Sequence, residues 1–427
     1  MRSRYRRAFF GTLCAAVLLA LVSPRSDASP DGGPTAVRVA GTGAMGYTGD
    51  GGQSLRAALA SPSGIAVDGA GDVAVADTGN CRVRVIASRT TSHFGMTMRA
   101  RHIYTVAGTG CGRHGSRRPS STTLVDPTGV AFDGAGDLLI ADASGNRILE
   151  LPNASGRDFG TSVRAGRLAS VAGTGVAGTT AGARPARSSR LDDPRGIAVD
   201  AAGDLYIADT AACQVDEVPA HNQTRLGVPL AVGHIYPVTG TGVCGSGGDG
   251  GRAGAAQLSS PSAVTVDGGG DLLIADEGNS SVREVPATTG TFYGVAIAAG
   301  DIGTVTGQDM HTEYLNDGFG ASGPVSDVNY PSGLAVDAAG DLFIADSYDR
   351  CIRDVPARDG LLFGRPENAG DLYTVAGMLA VGGAAAGDGT RWILTRVGYP
   401  YGVAVGPGGA LYFSDQGANT VRRITSP

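Results

Sequence analysis

The sequence predicts an all-β fold: a six-bladed β-propeller of four-stranded antiparallel blades, with the last blade completed by the N-terminal strand. Three features predict it. One sentence of residues is written six times; each copy holds short apolar strands joined by glycine-rich turns; and the last copy lacks a strand that stands instead near the start. The copies begin at Pro62, Pro127, Pro194, Pro261, Pro331 and Pro400, spaced 65, 67, 67, 70 and 69 residues apart. A fixed period of this size marks a repeat architecture, in which each unit buries its apolar surface against its neighbours.

Within the first copy, Gly64-Ile65-Ala66-Val67 is an apolar run without polar alternation, as in a strand covered on both faces. Asp68 to Asp72 follows, and its glycines supply the positive φ of a tight hairpin loop. Val73 to Ala76 is a second buried strand, and Asp77-Thr78-Gly79-Asn80 turns the chain again. Cys81 to Ile86 alternates polar and apolar, which predicts a more exposed third strand. After a connecting segment comes a fourth strand, Ile103 to Gly108, which recurs as LASVAG, IYPVTG, IGTVTG and LYTVAG. Radial repetition of such blades leaves only short protected edges.

The sixth copy stops after its third strand, at Val421 to Ile424. Val37-Arg38-Val39-Ala40-Gly41-Thr42-Gly43 carries the VAGTG sequence that follows the third strands of other copies, and is predicted to supply the missing strand. Pinning both termini into one sheet removes their fraying.

The repeated core, P-x-G-[IVL]-A-V-D-x-x-G-[DN]-L-[YF]-[IV]-A-D-x-x-N-x-R, resembles the NHL repeat. Copies one, two, three and five match it closely; copy four has Ala263 and Thr265 at positions usually Gly and Ala, and copy six has Gly406 for the first Asp. The resemblance spans roughly residues 37 to 427. The Gly49-Asp50-Gly51-Gly52 and Gly248-Asp249-Gly250-Gly251 segments are similar to those of bacterial secreted NHL proteins and of the NHL segment of teneurins.

The repeats tile the chain, so its 427 residues divide into a leader, 1–28, and one propeller, 29–427. Met1 to Arg7 is basic, Ala8 to Val22 is apolar apart from Gly11 and Thr12, and Ser26-Asp27-Ala28 fits a small-x-small cleavage site. That pattern predicts a secretory signal peptide, too short in its apolar part for a membrane span, and Arg6-Arg7-Ala8-Phe9-Phe10 also resembles a twin-arginine signal. The expected location is extracellular, with no membrane span. Every basic side chain is Arg, and beyond residue 28 the chain holds 29 basic and 39 acidic residues. The resemblance implies that an RNA-binding member would need an electropositive face; this acidity argues against nucleic acid as partner.

Cys81 opens a third strand and Cys111 follows the next fourth strand; Cys213 and Cys244 repeat the arrangement two blades later. In an exported protein both pairs are expected to be disulfides, each stapling an outer strand to its blade. Cys351 lies one residue further from its preceding Asp than Cys81 and Cys213 do, and is expected to be a buried free thiol.

The candidates for chemistry have scaffold readings. Asp77, Asp142, Asp209, Asp276, Asp346 and Asp415 end every second strand, where an Asp accepts bonds from N–H groups of the next turn. Asp68, Asp133, Asp200, Asp267 and Asp337 read the same way. The six histidines, His93, His102, His114, His221, His234 and His311, avoid the first strands that line the channel, so no set of ligands of the lyase or hydrolase type is expected at its mouth. The Gly-Asp-Gly-Gly segments read as blade-to-blade turns before they read as ion cradles. Phe94, Phe159, Tyr293 and Phe363, each before a Gly in the segment after the third strand, read as packing on their own blades.

The sequence therefore predicts a secreted, monomeric binding or scaffold propeller with no cofactor, no metal and no catalytic set, whose partner is a protein or an envelope glycan. Binding is expected in the loops entering the first strands (108–126, 173–193, 240–260, 307–330 and 377–399). The alternative is a metal-dependent hydrolase or lyase similar to the lactonase-like propellers.

Overall fold

Each apolar run becomes a strand, and each copy becomes a blade. The computed structural model describes residues 35–111, 123–179, 182–225, 228–307, 321–322, 327–377 and 396–425; the leader, His114 and His311 lie outside them. In blade one the strands are Pro62–Val67, Val73–Asp77, Arg82–Ile86 and Ile103–Ala107, antiparallel in that order. The first strands of the other blades are Pro127–Phe132, Pro194–Val199, Pro261–Val266, Pro331–Val336 and Pro400–Val405. Thr35–Ala40 pairs antiparallel with Thr420–Thr425, Ala36 opposite Ile424, and so completes the sixth blade. The shared blade follows from the chain's own shortage of a fourth strand at one end and surplus at the other.

Two blades gain a two-residue fifth strand, Arg184–Pro185 in blade three and Ala321–Ser322 in blade five. The segment after each third strand is a separate small hairpin, such as Thr91–His93 with Met96–Met98. By the antiparallel order, the starts of the first strands and the turns between second and third strands share one face, called upper here. The turns between first and second strands and the outer hairpins share the lower face.

The blades meet closely at the axis. A Cβ on Gly129 would stand 2.2 Å from the carbonyl oxygen of Arg195 in the next blade, and one on Gly64 2.3 Å from that of Thr128. Only the absence of a side chain allows this approach. Further out, buried side chains of adjoining blades form shared clusters; Val83 and Val85 of blade one lie with Leu138, Ile140 and Leu149 of blade two.

The four hairpin aromatics pack on their own blades and reach the next one as well, in clusters that span the junction. Phe94 joins a cluster containing Leu138, Leu149 and Leu151 of blade two, and its N–H donates to Asn153 Oδ1 at 3.2 Å. Tyr293 of blade four donates its O–H to the carbonyl of Gly340 in blade five at 2.8 Å. Phe159 and Phe363 likewise pack with residues of the following blade. The hairpin leans over the junction, where a large ring buries apolar surface between two blades. All four adopt positive φ, between 44° and 51°, which tucks each ring inward ahead of its glycine.

Both expected disulfides are present, with Cα–Cα distances of 4.9 Å for Cys81–Cys111 and 5.2 Å for Cys213–Cys244. Cys81 and Cys213 occupy a left-handed position that opens the third strand, at φ 50° and 53°. In blade five that position is Arg350, so Cys351 falls one residue inside the strand, buried and outside any disulfide.

Candidate functional site

The residues singled out in the sequence are mostly scaffold, and the structure gives their partners. Asp77 Oδ1 accepts the N–H of Ala60 at 2.7 Å, Asp142 Oδ1 those of Val125 and Asp126, and Asp276 Oδ1 that of Ser259. Asp209, Asp346 and Asp415 accept the corresponding N–H groups of Asp192, Asn329 and Gly398. The donors stand 16 or 17 residues earlier, in the segment entering the same blade, rather than chiefly in the next turn. Each Asp thus clamps the incoming chain. The first-strand Asp residues close the lower turns, Asp68 Oδ1 accepting from Ala70 and Asp72 N–H.

Burial pushes the carboxyls of Asp276 and Asp346 up to about 6 and about 7, against the pull of Arg283 and Arg353. Asp209 is also raised, by burial and by the charge of Asp216, and Asp216 is raised by burial against the hydrogen bond from Gln214.

The Gly-Asp-Gly-Gly segments are edge clasps. Asp50 Oδ1 accepts from Arg84 Nη2 at 3.1 Å and from Thr105 N–H at 2.8 Å, while Gly51 and Gly52 pair with Ile103 on the outer strand. Arg84 is fully buried and also faces Asp77 Oδ2 at 3.6 Å. Asp249 with Arg283 repeats the clasp in blade four. An arginine already neutralises the Asp that would have cradled a cation. The looser forms at 316–318 and 387–389 lie outside the described residues.

His93, His102 and His234 sit on the outer hairpins or the outer edges, away from the axis. His93 Nδ1 lies 3.6 Å from Asp72 Oδ2, and its ring stacks on Phe94.

The axial channel itself is a narrow space of about 60 Å³ lined by the inner strands, with Gly64, Gly129, Gly196, Gly333 and Gly402 among its walls. A small-molecule active site buried along the axis has no room there. The upper mouth is different. Tyr330 and Tyr399 lead into the first strands of blades five and six, and Tyr348 stands in the turn of blade five. Blades one, four and six place a glycine at the Tyr348 position (Gly79, Gly278, Gly417), where the turn packs on the incoming segment. The three tyrosines are exposed by 42%, 37% and 51% for Tyr330, Tyr399 and Tyr348, and the rings of Tyr330 and Tyr348 are 5.6 Å apart.

Across the mouth stand charged groups. Arg195 Nε donates to Asp193 Oδ2 at 2.9 Å, and Glu277 and Asp126 lie close enough to influence its charge or be influenced by it. Burial raises Glu277 above its usual range, with Arg195 opposing. Tyr399 is raised by burial and by the nearness of Glu277, Tyr330 and Tyr348, which places the aromatic and charged halves in one field. Sequence reasoning missed this crescent. Its signal was the Tyr-Pro pair opening copies five and six.

Sequence reasoning also missed a set of buried acids on the lower face. Glu150, Glu217, Glu284 and Asp354 hold one position in the third strands of blades two to five, spaced by the repeat period. Among the described residues, two groups have the composition to hold a metal ion: Asp68, Asp72 and His93, and Asp137, Glu150 and Asp158. Both lie beneath the outer hairpins, on the face opposite the tyrosines.

Known proteins match this architecture. Residues 59–86, the first repeat core, match the NHL repeat. Over 263 residues the chain is 28% identical to Teneurin-1 of Caenorhabditis elegans, covering 58% of this chain and 9% of that protein. The chain thus spans less than a tenth of that relative's length. Among solved structures, a Bacteroides thetaiotaomicron protein of unknown function aligns over 92% of this chain and 76% of its own, at 14% identity and TM-score 0.58. Auxiliary nutrient binding proteins align over the same shares at 12% identity, with TM-scores of 0.55 for that of Bacteroides thetaiotaomicron and 0.56 for that of Bacteroides ovatus. At such identities the solved structures speak for the fold alone. The first repeat core matches the NHL repeat, its in-phase copies tile the chain, and together they close a six-bladed β-propeller.

Proposed function

We propose that the protein is an exported binding or scaffold propeller that recognises its partner at the upper mouth, and that the partner is an envelope glycan. The observation that carries this reading is the pairing of three exposed tyrosines, Tyr330, Tyr348 and Tyr399, with Arg195, Asp193 and Glu277 across one opening. Rigid aromatic rings offer contact area at little entropic cost, and sugar rings present apolar faces to them. Carboxylates and a guanidinium then supply directional bonds to hydroxyl groups. Two disulfides accord with export.

The test is retention of the mature protein on immobilised envelope polysaccharide and on envelope protein fractions. Retention on polysaccharide, lost in the Tyr348→Ala/Tyr399→Ala and Arg195→Ala variants with melting temperature unchanged, supports the proposal. Retention on protein alone shifts the partner to a polypeptide. Turnover of lactone or ester substrates would replace the proposal with the enzyme reading.

A further inference from the structure

The acids beneath the hairpins recur with one exchange. In blade three, Asp200, Asp204 and Glu217 gather under the hairpin residue Arg225. Its Nη1 lies 3.6 Å from Glu217 Oε2, and its guanidinium covers the ring of Tyr206 at 5.1 Å. Gln223 adds hydrogen bonds to Asp204 and Glu217. In blade two the equivalent acids are Asp133, Asp137 and Glu150, but the hairpin residue in the place of Arg225 is Asp158. Among the described residues, no arginine takes that place over Glu150. Glu150 is 0% exposed and both of its carboxylate oxygens lack a hydrogen-bond partner, while ligand oxygens of Asp137, Glu150 and Asp158 lie within 4.8 Å of one another.

We infer that blade two binds a divalent cation of the calcium type, held by Asp137, Glu150 and Asp158 at the position that the Arg225 guanidinium fills in blade three. Three carboxylates and no thiol make a hard-oxygen site, which suits calcium and its readiness to complete a shell with water or carbonyl oxygen. A cleft of about 490 Å³ between blades two and three, lined by Asp133, Asp158, Asp200, Arg157 and His221, gives the ion a route from solvent. The site is remote from the upper mouth and serves to lock the hairpin of blade two onto the body, as the ion pair does in blade three.

The full mature chain, stripped with EDTA, is titrated with calcium chloride and with magnesium chloride by calorimetry and followed by thermal melting. The expected result is one calcium per chain and a melting temperature raised by several degrees. Glu150→Gln weakens binding at least 100-fold. Asp158→Arg rebuilds the blade-three pair: it abolishes the calcium response and melts in EDTA no lower than the parent does in EDTA. The inference is overturned if millimolar calcium neither binds nor raises the parent's melting temperature, or if Glu150→Gln binds as tightly as the parent. It is also overturned if Asp158→Arg keeps the full calcium response.

Discussion

Asn419, in the last blade, accepts at its side-chain oxygen the backbone N–H of Ser61, the residue leading into the first blade, at 2.9 Å. The two stand 358 residues apart, and the bond lies on the seam where the ring closes. On the same seam, Ser414 donates its O–H to the carbonyl of Ser63.

Closure depends on the N-terminal strand. Deleting residues 29–45 removes the partner of Thr420–Thr425 and exposes an unpaired edge. The truncated protein is expected to aggregate or to melt well below the parent, by size-exclusion chromatography and calorimetry. An unchanged melting temperature in a monomeric product would contradict the shared blade.

Redox state follows from the left-handed position that Cys81 and Cys213 occupy. Peptide mapping without reduction should recover Cys81 linked to Cys111 and Cys213 to Cys244. Cys351, buried within its strand, should react with an alkylating agent only after denaturation.

The axis tolerates no added atom. Gly129→Ala sets a methyl group against the backbone of Arg195, which cannot rotate away, and should cost about 2 kcal/mol or more in chemical denaturation. The hairpin contact of Tyr293 is milder: Tyr293→Phe loses one bond to Gly340 and should cost about 1 kcal/mol.

The buried acids make stability depend on pH. Burial and the charges of Asp271 and Asp267 push Glu284 up to about 8 from an ordinary 4.5. The folded chain therefore holds a proton that the unfolded chain releases. Its contribution is full below 4.5 and is lost as pH rises through about 8. Melting temperature in EDTA should fall between about pH 5 and about pH 9, and Glu284→Gln should flatten that slope. A melting temperature that rises across this window would contradict the assigned protonation.

The sequence by itself determined the blade count, the strand order, the borrowed strand and the cysteine pairing. Each of these is written in local spacing, because a repeat unit places residues at equal sequence offsets in equal positions. The tertiary structure alone decided what crosses a blade boundary. Phe94 and Tyr293 sit on one blade by sequence and bury themselves against the next, since the hairpin leans over a junction that no local pattern encodes. Tyr330, Tyr348 and Tyr399 converge only because closure brings the ends of separate blades to one rim. Asp137 and Glu150 look like ordinary repeat positions until Asp158 is folded over them where Arg225 stands in blade three. Charge at a single position is legible in a sequence; whether a counter-charge meets it is settled by packing.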